Sequence, residues 1–195
     1  MAESKLRIAT FNCRSIKSSI GSVKSLCDSN DIIMLQEHWL LPDELSYLSA
    51  VDTNFVAFGS SAVDITTNVL AGRPYGGTAI LCNQNLAPSI KLVDNTNSRI
   101  TAVELTVIIN AVTTTLLLAS IYMPVDPGCQ QDEDFEFVCG CLDALITDSN
   151  ACGYILAGDF NFRPNSERHN FILNSLSSHG AITADISIMD VSSYA

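Results

Sequence analysis

The sequence predicts an α/β fold in which two packed β-sheets are flanked by helices. Three observations lead there. Strand-like and helix-like segments alternate along most of the chain, and the stretch from Thr78 to Ile121 carries four strand candidates in succession. No repeat, low-complexity tract or linker divides the 195 residues, so they are read as one domain, 1–195. Apolar residues make up 47%, enough to fill a sizeable core and to argue against disorder. Consecutive hairpin-like strands fit two packed sheets better than one parallel sheet.

Taken in order, Lys5 to Asn12 is strand-like. Ile16 to Cys27 is helical, with Ile16, Ile20, Val23, Leu26 and Cys27 on one face. Asp31 to Gln36 is an apolar run of buried-strand length. Pro42 opens a short helix, where a first-turn proline is tolerated. Asn54 to Phe58 is a further strand, and residues 59–76 are a polar loop. The four strands that follow are Thr78 to Cys82, Ile90 to Val93, Ile100 to Ile109 and Val112 to Ile121. Asn110-Ala111 is a tight link between the last two. Asp132 to Leu145 is a helix whose acidic first turn suits the helix dipole. Tyr154 to Ala157 is a buried strand, and Glu167 to Ser177 a last helix with Phe171, Ile172 and Leu176 apolar.

Composition excludes several classes. The longest apolar stretch, Leu116 to Ile121, is far short of the roughly 18 residues needed to span a membrane. The N-terminus lacks a secretory pattern, and an intracellular protein is expected. Seven cysteines without a CxxC pair argue against zinc and for reduced core thiols. The net charge of −11 sits awkwardly with phosphate binding, which Lys and Arg usually drive. Asp126 to Glu136 holds five carboxylates, read as a solvated loop and helix start.

Chemistry-bearing residues gather at predicted strand ends. Tyr154-Ile-Leu-Ala-Gly-Asp159-Phe-Asn161 ends an apolar strand with Asp and Asn two apart, so both side chains point the same way. A carboxylate and an amide so placed can orient a water; a Gly-Asp turn explains the same residues. Glu37 ends Ile32-Ile-Met-Leu-Gln, where it either serves a metal or reaches solvent. Asn12 ends the first strand, as a site residue or a helix N-cap with Ser15 the rival. Tyr122 closes the strand before Met123-Pro124, as a site residue or an interfacial tyrosine. In α/β folds the C-terminal strand ends are where ligands collect.

Four motifs carry a resemblance: Leu6-Arg-Ile-Ala-Thr-Phe-Asn12, Leu35-Gln-Glu37, Ser120-Ile-Tyr-Met-Pro124 and Leu156-Ala-Gly-Asp-Phe-Asn161. In that order they resemble the endonuclease/exonuclease/phosphatase superfamily. Arg73-Pro-Tyr-Gly-Gly77-Thr-Ala-Ile and Ser98-Arg-Ile-Thr-Ala-Val-Glu-Leu make the chain most like the apurinic-endonuclease-like domains of non-LTR retrotransposons. The resemblance implies a deoxyribonuclease I-like four-layer sandwich of two mixed sheets between helices. It implies Mg²⁺, with Mn²⁺ as a substitute, on Glu37 with Asn12 nearby. It gives Asp159 the attacking water, Asn161 its positioning, and Tyr122 the scissile phosphate. Magnesium's preference for a few oxygen ligands agrees with that set.

The chain departs from the family in two places. The late Ser and Asp-His pair of the family is absent; the sequence holds no Asp-His dipeptide and ends at Asp190-Val-Ser-Ser-Tyr-Ala195. His38, His169 and His179 do not match it and are read as surface or structural. The domain is therefore expected to be incomplete at its C-terminus, to lack its last strands, and to have impaired activity. Arg14 stands where some relatives carry an acidic metal ligand, and is a candidate phosphate contact instead. The expected activity is DNA nicking by a monomeric retroelement endonuclease, fused to a reverse transcriptase in the full element and acting in the nucleus. The alternatives are a phosphatase on phosphoinositides or small phosphoesters, and a non-catalytic remnant.

Overall fold

The computed structural model describes residues 5–63, 72–94, 97–109, 111–125 and 132–180. It divides into two compact units, Met1–Asn161 and Phe162–Ala195.

Among the described residues the first unit holds eight strands in two mixed sheets. Strand β1 (Ile8–Asn12) leads through helix α1 (Ile16–Ser29) to β2 (Ile32–Gln36), and β3 (Phe55–Ser60) precedes β4 (Thr78–Asn83). Their order in the first sheet is β1-β2-β4-β3, with β1 parallel to β2 and the other pairs antiparallel. The second sheet orders β5 (Ile90–Val93), β6 (Ile100–Ile109), β7 (Val112–Tyr122) and β8 (Gly153–Asp159) consecutively. There β7 and β8 are parallel and the rest antiparallel. Helix α2 (Glu133–Asp148) is the connection between β7 and β8.

The side-chain period of two explains the layers. On β2 and β4, Ile32, Met34, Ile80 and Cys82 meet Val103, Leu105 and Leu118 of the second sheet. The alternate residues Ile33, Leu35, Ala79 and Leu81 pack under α1, against Ile16, Val23 and Cys27. Strand β2 is buried on both faces, so truncating Ile33 or Met34 to alanine should cost about 2–5 kcal/mol. The apolar helix face read from the sequence is the face that packs, with Ile20 and Leu26 half-buried at its margin.

Several expectations shift. The turn begun by Pro42 is a 3₁₀ helix, Pro42–Ala50, and a second one, Gln84–Ser89, was not foreseen. Ser15 stands at the N-cap of α1, but its side chain makes no capping bond. Instead the backbone carbonyls of Glu37 and His38 accept from the amides of Ser15 and Ile16 at 2.8 and 3.1 Å. Strand β8 is half-buried rather than buried, with Ile155 exposed, because among the described residues it pairs on one side only. Asn110 of the hairpin link lies outside the described residues, while Ala111 has the left-handed φ of 65° that such tight links use. Residues 64–71 of the predicted loop, 126–131 of the acidic stretch and the end from 181 on also lie outside them.

Burial raises the thiols of Cys13, Cys82 and Cys139 to about 12 and that of Cys27 to about 11, as inert core residues. No helix among the described residues is long and apolar enough to cross a membrane. In the second unit, α3 (Glu167–Leu176) is capped by Ser166, whose hydroxyl accepts from the His169 amide. Ile172 and Leu176 are buried, but Phe171 of the expected apolar face is exposed.

Candidate functional site

β1 and β2 run parallel, and so do β7 and β8. The C-terminal ends of these four strands meet where the sheets face each other. Asn12, Glu37, Tyr122 and Asp159 thereby converge. The Asn12 Nδ2 amide donates to Glu37 Oε1 at 2.7 Å and to Asp159 Oδ2 at 2.8 Å. Residues 147 positions apart are thus joined by one nitrogen.

The two sheets are pinned directly beneath. Gln36, fully buried, donates from Nε2 to Ser120 Oγ at 2.9 Å, and Ser120 Oγ donates to the Leu35 carbonyl. Thr78 and Thr101 share a second buried hydroxyl pair at 2.8 Å. Both pairs satisfy polar groups that burial would otherwise penalise. Both also hold the strand ends in one register across the interface.

The backbone leaves its strands in unusual conformations here. Arg14, Ser15, Glu37, Trp39 and Asn161 all have positive φ, from 42° to 88°. Non-glycine residues in this region cost of order 1–3 kcal/mol each and concentrate at functional sites. At Asn161 the strain is offset by two bonds. Its amide N–H donates to Asp159 Oδ1 at 3.1 Å, and its Nδ2 donates to the Met123 carbonyl at 2.7 Å. Asp159 therefore has both carboxylate oxygens held, one by Asn161 and one by Asn12. Before it, Gly158 is obligatory: a Cβ there would stand 1.9 Å from the Ile121 carbonyl oxygen.

Glu37 is held from several sides. Besides Asn12, it accepts from Trp39 Nε1 at 3.2 Å, and its charge acts on the Tyr122 phenol. The Arg73 guanidinium lies 4.8 Å from the Trp39 ring centre, and Arg99 lies 5.6 Å from that of Tyr122. Burial pushes the Tyr122 phenol above its ordinary 10, and the carboxylates of Glu37 and Asp159 push the same way while Arg99 opposes them. The tyrosine is consequently a neutral hydrogen-bond donor at physiological pH.

Five of the six predicted residues, Asn12, Glu37, Tyr122, Asp159 and Asn161, thus belong to one hydrogen-bonded cluster or border it. Arg14 follows Asn12 and its amide donates to Asn12 Oδ1 at 3.2 Å, but its side chain is exposed. Trp39, Arg73 and Arg99 were missed. Arg73 and Arg99 lie in motifs visible in the sequence, yet only the tertiary fold sets them on the rings of Trp39 and Tyr122. The chain is acidic overall, and these arginines still supply positive charge beside the carboxylates.

His38 is structural. Its ring is fully buried, Nδ1 accepts from the Leu40 amide, and Nε2 donates to the Ser60 carbonyl at 3.0 Å. Burial lowers its pKa, keeping it neutral. Gly77, at φ 83°, makes room for it, since a Cβ there would lie 2.4 Å from His38 Cε1. His169 accepts at Nδ1 from the Asn165 amide and packs on Phe162.

The donor set suits a hard divalent cation. It consists of the Glu37 and Asp159 carboxylates, which come close enough to share one donor. Magnesium takes one or two such carboxylates and keeps its waters. Among the described residues no three or more of His, Cys, Asp and Glu stand together so as to hold a metal ion, as a closed zinc-type site requires.

The fold is shared with solved structures. An AP endonuclease from Leishmania major aligns with a TM-score of 0.61 at 13% identity, over 88% of this chain and 66% of that one. A 3′ phosphatase from Neisseria, bound to a product DNA hairpin, gives 0.59 at 17%, over 89% and 71%. An AP endonuclease from Archaeoglobus fulgidus gives 0.58 at 14%, over 90% and 71%. The chain thus spans just under two-thirds of the Leishmania protein. No curated protein sequence matches it. The profile of the Endonuclease/Exonuclease/phosphatase family matches residues 9–190, and the chain belongs to that family.

Proposed function

We propose that the chain is a metal-assisted phosphodiesterase that nicks DNA, of the kind carried by non-LTR retrotransposons. The observation behind this reading is the single Asn12 nitrogen that joins Glu37 to Asp159 beside Tyr122. Glu37 would hold a divalent cation, Mg²⁺ or Mn²⁺. Asn12 would join it as a ligand only with its amide turned over, because Oδ1 is engaged by the Arg14 amide. When bound, such a cation offsets negative charge on the phosphate and on the leaving oxygen.

The remaining work falls to the protein. Asp159, steadied at both oxygens, orients the attacking water and takes its proton. Asn161 fixes the position of Asp159 through its own amide. Tyr122, kept neutral, donates to a non-bridging phosphate oxygen. Arg73, Arg99 and the exposed Arg14 attract the phosphodiester backbone, offsetting locally an overall charge of −11.

DNA is favoured as substrate because fold neighbours include AP endonucleases and a 3′ phosphatase bound to a DNA hairpin. The retroelement assignment rests on the motifs around Arg73 and Arg99. It carries the rest of the proposal: a monomeric domain serving a reverse transcriptase on nuclear DNA by exposing a priming 3′-hydroxyl. The second reading, a phosphatase, draws on the same Neisseria neighbour.

The test is Mg²⁺-dependent nicking of supercoiled plasmid, with Asp159→Ala as control and Mg²⁺ binding followed by calorimetry. Nicking that survives Asp159→Ala unchanged, or a protein that neither nicks nor binds Mg²⁺, would overturn the proposal. Phosphate release from soluble phosphomonoesters without nicking would favour the phosphatase.

A further inference from the structure

Beside Tyr122 the chain forms an open cavity of about 210 Å³. Asn97, Ser98 and Arg99 line it from the segment entering β6, and Asp134, Phe137 and Val138 from α2. Whole small-molecule sites run from about 300 to 1,000 Å³, so this space suits one group of a larger ligand. It joins the site through Arg99, whose guanidinium also stacks on the Tyr122 ring. Arg99 thus borders both the cavity and Tyr122.

The walls are chemically particular. Phe137 is 61% exposed although it stands on a helix whose other aromatic, Phe135, is buried. A single exposed phenylalanine is ordinary on a surface. This one instead shares a cavity with a guanidinium, and both are planar. Asp134 adds an acceptor, and Val138 is a buried apolar residue beside it. The entering segment is rigid: Asn97 Oδ1 accepts from the Arg99 amide at 2.9 Å, and Nδ2 reaches Cys141 Sγ at 3.6 Å. The Ile100 amide bonds back to the Asn97 carbonyl, and the Tyr122 amide to that of Arg99. The position of Arg99 is thus set by the strand that carries Tyr122.

Planar aromatic and guanidinium surfaces are what proteins use to stack unpaired bases. A free phosphate would meet Arg99 but would be repelled by Asp134. A base gains from both, stacking on Phe137 and Arg99 while an exocyclic amine donates to Asp134. We propose that this cavity is a nucleobase subsite, which receives the base adjoining the scissile phosphate after it leaves its stack. The inference rests on the phosphodiesterase reading above and deepens it, since it assigns this protein an unpaired or extruded base beside the cleavage point.

The test uses the full chain with Asp159→Asn to slow cleavage. The probe is a single-stranded oligonucleotide with 2-aminopurine placed on one side or the other of its central phosphate. Binding should change the probe's fluorescence for one placement and not the other. Phe137→Ala should abolish that change and weaken binding about tenfold, the order expected for one lost base stack, while Phe137→Trp should retain both. Phe137 is exposed, so its replacement should leave the melting temperature unaltered. Equal signal and affinity with phenylalanine and alanine would sink the subsite.

A second arm separates this from the parent proposal. With Asp159 intact, Phe137→Ala should leave hydrolysis of bis(p-nitrophenyl) phosphate, a diester without bases, at the wild-type rate. A fall in that rate counts against the subsite. If the wild-type chain cleaves neither diester nor oligonucleotide, the phosphodiesterase reading fails, and the fluorescence arm alone decides whether a base is held.

Discussion

Replacing Asn12 by alanine removes the one donor that Glu37 and Asp159 share, at 2.7 and 2.8 Å. A hydrogen bond to a charged group contributes about 1.5–3 kcal/mol. Two unit charges about 5 Å apart repel by roughly 3 kcal/mol at an effective dielectric of 20, and by under about 1 kcal/mol in water. The site is half-buried, so water can replace part of what the amide supplied. The net loss should be about 2–3 kcal/mol in the absence of metal. For a protein of this length that lowers the melting temperature by about 5–10 °C.

A cation between the carboxylates relieves the same repulsion. Mg²⁺ at ten times its Kd stabilises wild type by about 1.4 kcal/mol, and should stabilise Asn12→Ala by more. Calorimetric melts of both proteins, in EDTA and in Mg²⁺, give all four values. A variant that melts with wild type in EDTA refutes the bridge. A variant that loses the Mg²⁺ increment refutes it too, and makes Asn12 a metal ligand instead.

Two further perturbations probe the surroundings of the cluster. Burial and the carboxylates favour the neutral Tyr122 phenol, so the stability this contributes is fully present below pH 10 and fades as pH rises through its higher folded value. Ultraviolet titration of wild type minus Tyr122→Phe should accordingly show a phenolate midpoint above 10, and a midpoint at or below 10 would contradict the geometry. Gly77→Ala should destabilise by about 2–5 kcal/mol, because its left-handed backbone and its contact with the His38 ring both exclude a Cβ; a thermal melt within 1–2 °C of wild type, against the shift such a loss implies, would place His38 elsewhere.

Local patterning was enough to find the elements. Ile90–Val93 and Ile100–Ile109 were read to the residue, and the apolar stripe of α1 proved to be its packed face, because side-chain periodicity is a local property. The misreadings were tertiary. Whether β8 is central or at an edge depends on which strands pair with it, and no window of sequence contains that. Capping of α1 by the carbonyls of residues 37 and 38 was equally invisible, since the acceptors come from the segment that follows β2.

The site divides the same way. By itself the sequence determined which polar residues end apolar strands: Asn12, Glu37, Tyr122 and, with Asn161, Asp159. Each is legible because a polar group beside an apolar run is costly to bury unless it is paired. That their side chains touch was decided by the fold, which runs β1 with β2 and β7 with β8 in parallel and sets the two pairs end to end. The fold also decided the roles of Trp39, Arg73 and Arg99. A stacking contact between segments tens of residues apart leaves no periodic trace in the chain, and arises only when the fold brings the two segments together.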